Sequence, residues 1–326
     1  MSPAVATQGL RAEQYLSPET LAQLAPFELR AKMVADGVMN GMHQSPLQGM
    51  AVEFAAHRQY TAGDSVRHLD WKVFGRSDKL YVKEYRQETN LDVMILVDGS
   101  ASMSFGTLGV KQGWGGTDAT RRRGAWTKFD HATASAAALA FLCLSQRDRV
   151  GVAVGADGLR GAVRKSAARD QWRSIVRCLS SEPVEARFSP AACINQLLAQ
   201  TSHRTLFVIL SDFLGDPEGL RSALARLRHR GHDAMLLAML DHRELTLDLD
   251  VEAPFVGLEG EDALDVDTRM IRKAYLEELQ RHLQGIDRQA RAFGYDVQVF
   301  DTHESVGPVL AALLSRREGM VAGGRR

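Results

Sequence analysis

The chain has 326 residues, 45% of them hydrophobic and 25% charged, with Lys+Arg and Asp+Glu equal at 40 each. That length supports one large domain or two smaller ones, and the balanced charge excludes a global field that would steer the molecule to nucleic acid or an anionic membrane. Three widely spaced cysteines, Cys143, Cys178 and Cys193, exclude a disulfide framework and show no zinc-ligand spacing.

In chain order, residues 1–11 lack the basic-then-apolar layout of a secretory signal. No apolar stretch approaches the roughly 20 residues that span a bilayer, so the expectation is a soluble, cytoplasmic protein with reduced thiols. Ser17-Pro18 starts a helix, with the serine as cap and the proline in the first turn. Residues 50–90 are dense in alternating charge, with strand pieces around 51–54 and 79–83 and a turn at 60–64. Trp71 and Phe74 sit among Arg67, Asp70, Lys72 and Arg76. Either a solvated face or partly buried Arg–carboxylate pairs would account for that mixture.

The central stretch is Leu91-Asp92-Val93-Met94-Ile95-Leu96-Val97-Asp98-Gly99-Ser100-Ala101-Ser102-Met103. A continuous apolar, β-branched run reads as a strand buried on both faces of a parallel sheet. Asp98 stands at its carboxyl end, where open α/β sheets hold ligands. Asp98, Ser100 and Ser102 offer oxygen ligands only, the chemistry that Mg²⁺ and other hard cations prefer.

Residues 104–126 form a glycine-rich insertion with Trp114, Trp126 and Arg121-Arg122-Arg123; its spacing fits neither a dinucleotide fingerprint nor a phosphate loop. It reads as a mobile loop, and its place beside the Asp98 turn makes it a candidate for partner contact. Without a wider basic face, it does not make a nucleic-acid site. A helix over 128–147 carries an alanine-rich stripe suited to lying close against a sheet. A strand over 149–154 turns through Gly155-Ala156-Asp157-Gly158 into a hairpin partner over 159–163 at the sheet edge. Helices follow over 168–180, 189–200 and 219–230, strands over 205–213 and 234–240, an acidic irregular stretch over 242–268, a helix over 268–293, a strand over 295–300 and a helix over 306–316. The pair His229 and His232 straddles a helix end and reads as surface. The expected fold is an α/β, doubly wound, mostly parallel sheet of about six strands with one antiparallel. Residues 1–90 form an N-terminal extension, 91–316 the main domain and 317–326 a disordered tail.

A second buried strand ends at Asp212. Neighbouring strand ends would bring Asp98 and Asp212 into one cavity, where two carboxylates repel and call for a cation or a basic partner between them. Asp98-Gly99-Ser100-Ala101-Ser102 resembles the D-x-S-x-S signature of von Willebrand factor type A domains. The resemblance implies a metal-ion-dependent adhesion site of Asp98, Ser100, Ser102, a hydroxyl from Ser189 in Arg187-Phe188-Ser189-Pro190 where the family has a Gly-Thr pair, and Asp212. Such a site holds Mg²⁺ (or Mn²⁺ or Ca²⁺) and leaves one position for a carboxylate from another protein.

Upstream motifs Gly49-Met50-Ala51-Val52-Glu53-Phe54, Arg58-Gln59-Tyr60-Thr61-Ala62-Gly63-Asp64, Arg67-His68-Leu69-Asp70-Trp71 and Leu80-Tyr81-Val82-Lys83-Glu84, with Ser211-Asp212-Phe213, are similar to the bacterial von Willebrand A-like family catalogued as domain of unknown function 58. The resemblance covers about residues 45–316. It implies a non-catalytic interaction module that works with a MoxR-type AAA+ ATPase in assembly or maturation of other proteins. The alternative is a metal-dependent hydrolase using Asp98 and Asp212, but no G-x-S-x-G elbow surrounds Ser100 or Ser102 and no histidine is placed by sequence as their base.

Overall fold

A computed structural model of the chain describes residues 52–60, 71–77, 80–87, 91–109, 125–145, 147–168, 170–181, 183–248, 253–255, 258, 264–266 and 268–304. The chain divides into two compact units, with a boundary between Asn90 and Leu91. In the first, strand β1 (Val52–Gln59), helix α1 (Trp71–Ser77) and strand β2 (Tyr81–Gln87) follow one another, and β1 pairs antiparallel with β2 around a bulge between Phe54 and Ala56.

The second unit runs through β3 (Asp92–Asp98), a 3₁₀ turn (Ala101–Ser104), β4 (Leu108–Gly109), β5 (Ala125–Trp126), α2 (Lys128–Ser145), β6 (Arg149–Gly155), β7 (Leu159–Ser166), α3 (Gln171–Leu179) and α4 (Pro190–Leu198). It continues through β8 (Leu206–Ser211), α5 (Pro217–His229), β9 (Asp233–Leu240), α6 (His242–Thr246), β10 (Ala253–Phe255), β11 (Leu264–Val266), α7 (Thr268–Ala292) and β12 (Asp296–Asp301).

Six of these strands form one sheet in the order β12-β9-β8-β3-β6-β7. All neighbours are parallel except the β6–β7 hairpin, which puts the one antiparallel strand at the edge as its turn chemistry requires. Every residue of β3 and β8 is buried, as expected for central strands covered by helices on both faces. Edge strand β7 instead alternates in exposure and carries exposed Arg160 and Arg164, charges that discourage pairing with a further strand. Ala132, Ala136, Ala137 and Ala140 of α2 are fully buried; without bulky side chains this helix lies close on the sheet. Phe207, Ile209, Leu224, Leu227, Leu236 and Ile286 belong to the main apolar cluster.

Several sequence expectations are corrected. Helix α1 occupies charge-dense residues to which the sequence pattern assigned no element, between the turn at 60–64 and the strand piece at 79–83. Helix α5 starts at Pro217 rather than 219, because Asp216 caps it by accepting from Glu218 N. The stretch after β9 contains α6, closed by a capping box in which Asp241 accepts from the backbone and Glu244 accepts from Asp241 N. His232 is buried rather than superficial: Thr205 N donates to its Nδ1 at 3.2 Å, and the Tyr295 hydroxyl donates to its carbonyl. The helix at Ser17, the Arg121-Arg122-Arg123 run, the helix over 306–316 and the tail lie outside the described residues. Cys143 and Cys193 are buried, Cys178 is half-buried, and all three are free thiols.

Candidate functional site

β3 and β8 are neighbours in register, with Val97 opposite Leu210, so the residues that follow them emerge side by side at the carboxyl edge of the sheet. Asp98, the last residue of β3, is fully buried. Its Oδ1 accepts from Ser100 N at 2.8 Å, and its Oδ2 accepts from the Ser211 hydroxyl at 2.5 Å. The turn is clamped by backbone bonds: Gly99 N donates to Gly155 O, Val184 N to Gly99 O and Ala101 N to Ala186 O. Glycine is required at position 99 because a Cβ there would stand 2.8 Å from Val154 Cγ1. Ser100 and Ser102 consequently face the same space, their hydroxyl oxygens 3.2 Å apart.

Asp212, 3% exposed, meets them from β8 and accepts a hydrogen bond from the Ser102 side chain. Leu214 N donates to its Oδ1 at 3.2 Å and Lys128 Nζ to its Oδ2 at 2.9 Å. The next residue, Phe213, is held at φ 53°, a left-handed conformation that a bulky side chain rarely adopts. Two contacts hold it there: its N–H donates to Ser211 Oγ at 3.0 Å, and His282 Nε2 donates to its carbonyl at 2.9 Å.

Four of the five residues expected from sequence therefore converge: Asp98, Ser100, Ser102 and Asp212. Ser189 caps α4, its hydroxyl accepting from Ala192 N at 3.4 Å, and its neighbours Phe188 and Pro190 line the cavity beside the turn.

Sequence reasoning missed Lys128. Its side chain reaches from the first turn of α2 to Asp212 and, at 2.7 Å, to Glu244 Oε1, so the basic partner bridges Asp212 and Glu244 rather than Asp98 and Asp212. Burial works against its charge, but Asp212 and Glu244 outweigh that and raise its pKa. Burial would raise Asp212 as well, yet Lys128, Ser102 and the Leu214 amide hold it below the usual carboxylate range. Burial and the charge of Asp212 push the Asp98 carboxyl up to about 7, against hydrogen bonds from Ser100 and Ser211 that favour its ionised form. Glu244 is also raised, by burial first, in spite of Lys128.

Two carboxylates, Asp212 and Glu244, thus share the Lys128 ammonium, while Asp98 accepts from Ser100 N and the Ser211 hydroxyl, and the hydroxyls of Ser100 and Ser102 stand beside Asp98 and Asp212. That all-oxygen set and its excess of negative charge fit a hard divalent cation. It holds two carboxylates close to the hydroxyls, and among the described residues no group of three or more His, Cys, Asp or Glu is placed to hold a metal ion.

Beyond the turn the chain is tied to the next strand end. Thr107 donates through N and Oγ1 to the two carboxylate oxygens of Asp241, at 3.0 and 2.6 Å, and Thr302 Oγ1 donates to Oδ2. Since Glu244 accepts from Asp241 N, hydrogen bonds run continuously from Lys128 to the ends of β9 and β12.

The family model described as "Protein of unknown function DUF58" matches residues 56–285, more than half of the chain. Uncharacterized proteins of Mycobacterium tuberculosis and Mycobacterium bovis are each 28% identical over 317 residues, covering 94% of this chain and 92% of theirs. Among solved structures, the conserved hypothetical protein BatB of Bacteroides thetaiotaomicron aligns at a TM-score of 0.41 with 14% identity, over 71% of this chain and 100% of its own. An aerotolerance-related membrane protein of Bacteroides fragilis aligns at 0.38 with 14% identity, over 72% of this chain and 100% of its own.

Proposed function

The chain belongs to the family of unknown function DUF58, and we propose that it serves as a non-catalytic protein-interaction module with a von Willebrand factor A-type, metal-ion-dependent adhesion site. The observation that carries this reading is the convergence of Asp98, Ser100, Ser102 and Asp212 at the ends of two adjacent central strands. These four would hold Mg²⁺. When bound, that ion supplies a coordination position that a carboxylate of another protein completes.

The chain's own residues supply the rest. The clamped Gly99 turn presents the two seryl hydroxyls, Ser211 orients Asp98, and Lys128 keeps Asp212 ionised. The proposed partners are a MoxR-type AAA+ ATPase and a target protein offering the carboxylate. The alternative, a metal-dependent hydrolase using Asp98 and Asp212, would draw on the same two carboxylates, and the test that follows separates the two.

The test is thermal unfolding of the wild type and of Asp98→Asn, each titrated with Mg²⁺ and Mn²⁺. A cation bound only to the folded state stabilises it by about 2.7 kcal/mol at a hundredfold excess over its dissociation constant. The expected result is a concentration-dependent shift in the wild type that Asp98→Asn lacks. Equal behaviour of the two proteins would remove the metal from the reading. Divalent-dependent phosphoester cleavage lost in Asp98→Asn would move the assignment to a hydrolase.

A further inference from the structure

Both oxygens of Asp212 are already engaged. Its Oδ1 accepts from Leu214 N at 3.2 Å and its Oδ2 from Lys128 Nζ at 2.9 Å. A cation held at this end of the sheet through Asp212 must therefore share that carboxylate with an ammonium. Water does not take the ammonium away, because Lys128 is 1% exposed and its backbone N–H is tied to Phe105 O at 2.8 Å. A second berth exists within the protein. Glu244 Oε1 accepts from Nζ at 2.7 Å, and the Phe105 ring centroid lies 5.9 Å from Nζ, within range of a cation–π contact. Glu244 is in turn fixed by Asp241 N, which donates to its Oε2 at 2.8 Å. Lysine is a compact charge on a flexible stem, able to turn from one carboxylate to the other, whereas the planar fork of arginine would be held by both.

We propose that Lys128 is a built-in competitor for the divalent cation: its ammonium answers Asp212 when that ion is absent and sets how tightly the ion is held, by yielding Asp212 Oδ2 and remaining on Glu244. This rests on the reading of Asp98, Ser100, Ser102 and Asp212 as a cation site, and it adds what controls the occupancy of that site. Two positive groups on one carboxylate repel, so Lys128 opposes the ion for as long as it stays on Asp212. A buried ammonium left without a partner would be costly, and Glu244 removes that cost. The bond to Asp212 can thus be given up without stranding a charge. Glu244, which donates no oxygen to the proposed site, is the residue that makes the exchange possible.

The test is the Mn²⁺ affinity of the full chain, read from the free-ion signal in electron paramagnetic resonance and checked by competition with Mg²⁺. The decisive protein is the double variant Lys128→Met/Glu244→Gln. It loses one positive and one negative charge, so its net charge is that of the wild type, but no ammonium remains on Asp212. It should bind Mn²⁺ on the order of tenfold more tightly than the wild type. Lys128→Gln/Glu244→Gln, which keeps a polar side chain at both positions, should shift in the same direction and serves if the methionine variant does not fold. Glu244→Gln alone should bind roughly threefold more weakly, because the ammonium then has only Asp212 to hold.

Equal Mn²⁺ affinity in the wild type and the double variants would show that only net charge matters; the role of Lys128 would fall and the cation site would stand. Weaker binding in the double variants would make Lys128 a support of the site and overturn its role as competitor. Undiminished binding in Glu244→Gln would overturn it equally. Binding in the double variants with none in the wild type would be the expected result in its strongest form. Absence of Mn²⁺ binding from every one of these proteins would remove the cation site, and the role of Lys128 with it.

Discussion

Lys128 occupies the first position of α2, where the positive end of a helix dipole disfavours a cation, and it is 1% exposed. Only strong local compensation keeps a lysine there, and Asp212 and Glu244 supply it at 2.9 and 2.7 Å. Replacing it with methionine keeps much of the volume but leaves two carboxylates facing each other without a counter-charge. Lys128→Met should therefore cost about 3–5 kcal/mol of stability in urea denaturation. Adding Glu244→Gln to that variant should recover part of the loss, giving an interaction of about 0.5–3 kcal/mol between the two positions. Simple additivity would show that the ion pairs carry no such energy. Asp98 and Asp212 were legible in the sequence because each ends an apolar run. Lys128 was not, since its partners lie 84 and 116 residues away; its anomalous place at a helix start was the available signal.

The start of α4 was readable because a serine cap is followed by proline in Ser189-Pro190. The same kind of signal, Asp216-Pro217, opens α5 two residues before the expected start. Helix α6 escaped because its capping box lies in an acidic stretch and the helix is only five residues long, too short to show a period. Helix α1 escaped because Trp71-Lys72-Val73-Phe74-Gly75-Arg76-Ser77 has no sustained apolar stripe. Ser189 separates two roles experimentally. With its hydroxyl accepting from Ala192 N at 3.4 Å, Ser189→Ala should lower stability by about 0.5–1 kcal/mol through the lost cap. The same variant should keep the full Mg²⁺-dependent shift in melting temperature. Loss of that shift would restore Ser189 to the set that holds the cation.

At the scale of the whole molecule, the sheet was legible because strands covered on both faces read as unbroken apolar runs and because Gly155-Ala156-Asp157-Gly158 marked the one hairpin. The strand order and the cavity were not, since they depend on which helix packs over which strand end, as where α7 comes to meet the loop around Phe213. The same packing buries a titratable group that contributes to the molecule's acid stability. His131 of α2 is fully buried, accepts from Trp126 Nε1 through Nδ1 at 3.2 Å, and has no hydrogen-bond partner for Nε2 among the described residues. Burial pulls its imidazole down to about 4, against the attraction of Asp301. In the unfolded chain the same ring titrates near 6.5. Above that pH it is neutral in both states and contributes no pH dependence. As pH falls from about 6.5 through about 4, only the unfolded chain gains the proton, so stability drops by on the order of 3 kcal/mol over that window. His131→Gln keeps an acceptor for Trp126 but cannot titrate. Urea midpoints measured from pH 7 to pH 4 should therefore fall less steeply in His131→Gln than in the wild type; parallel curves would assign the acid loss to another group.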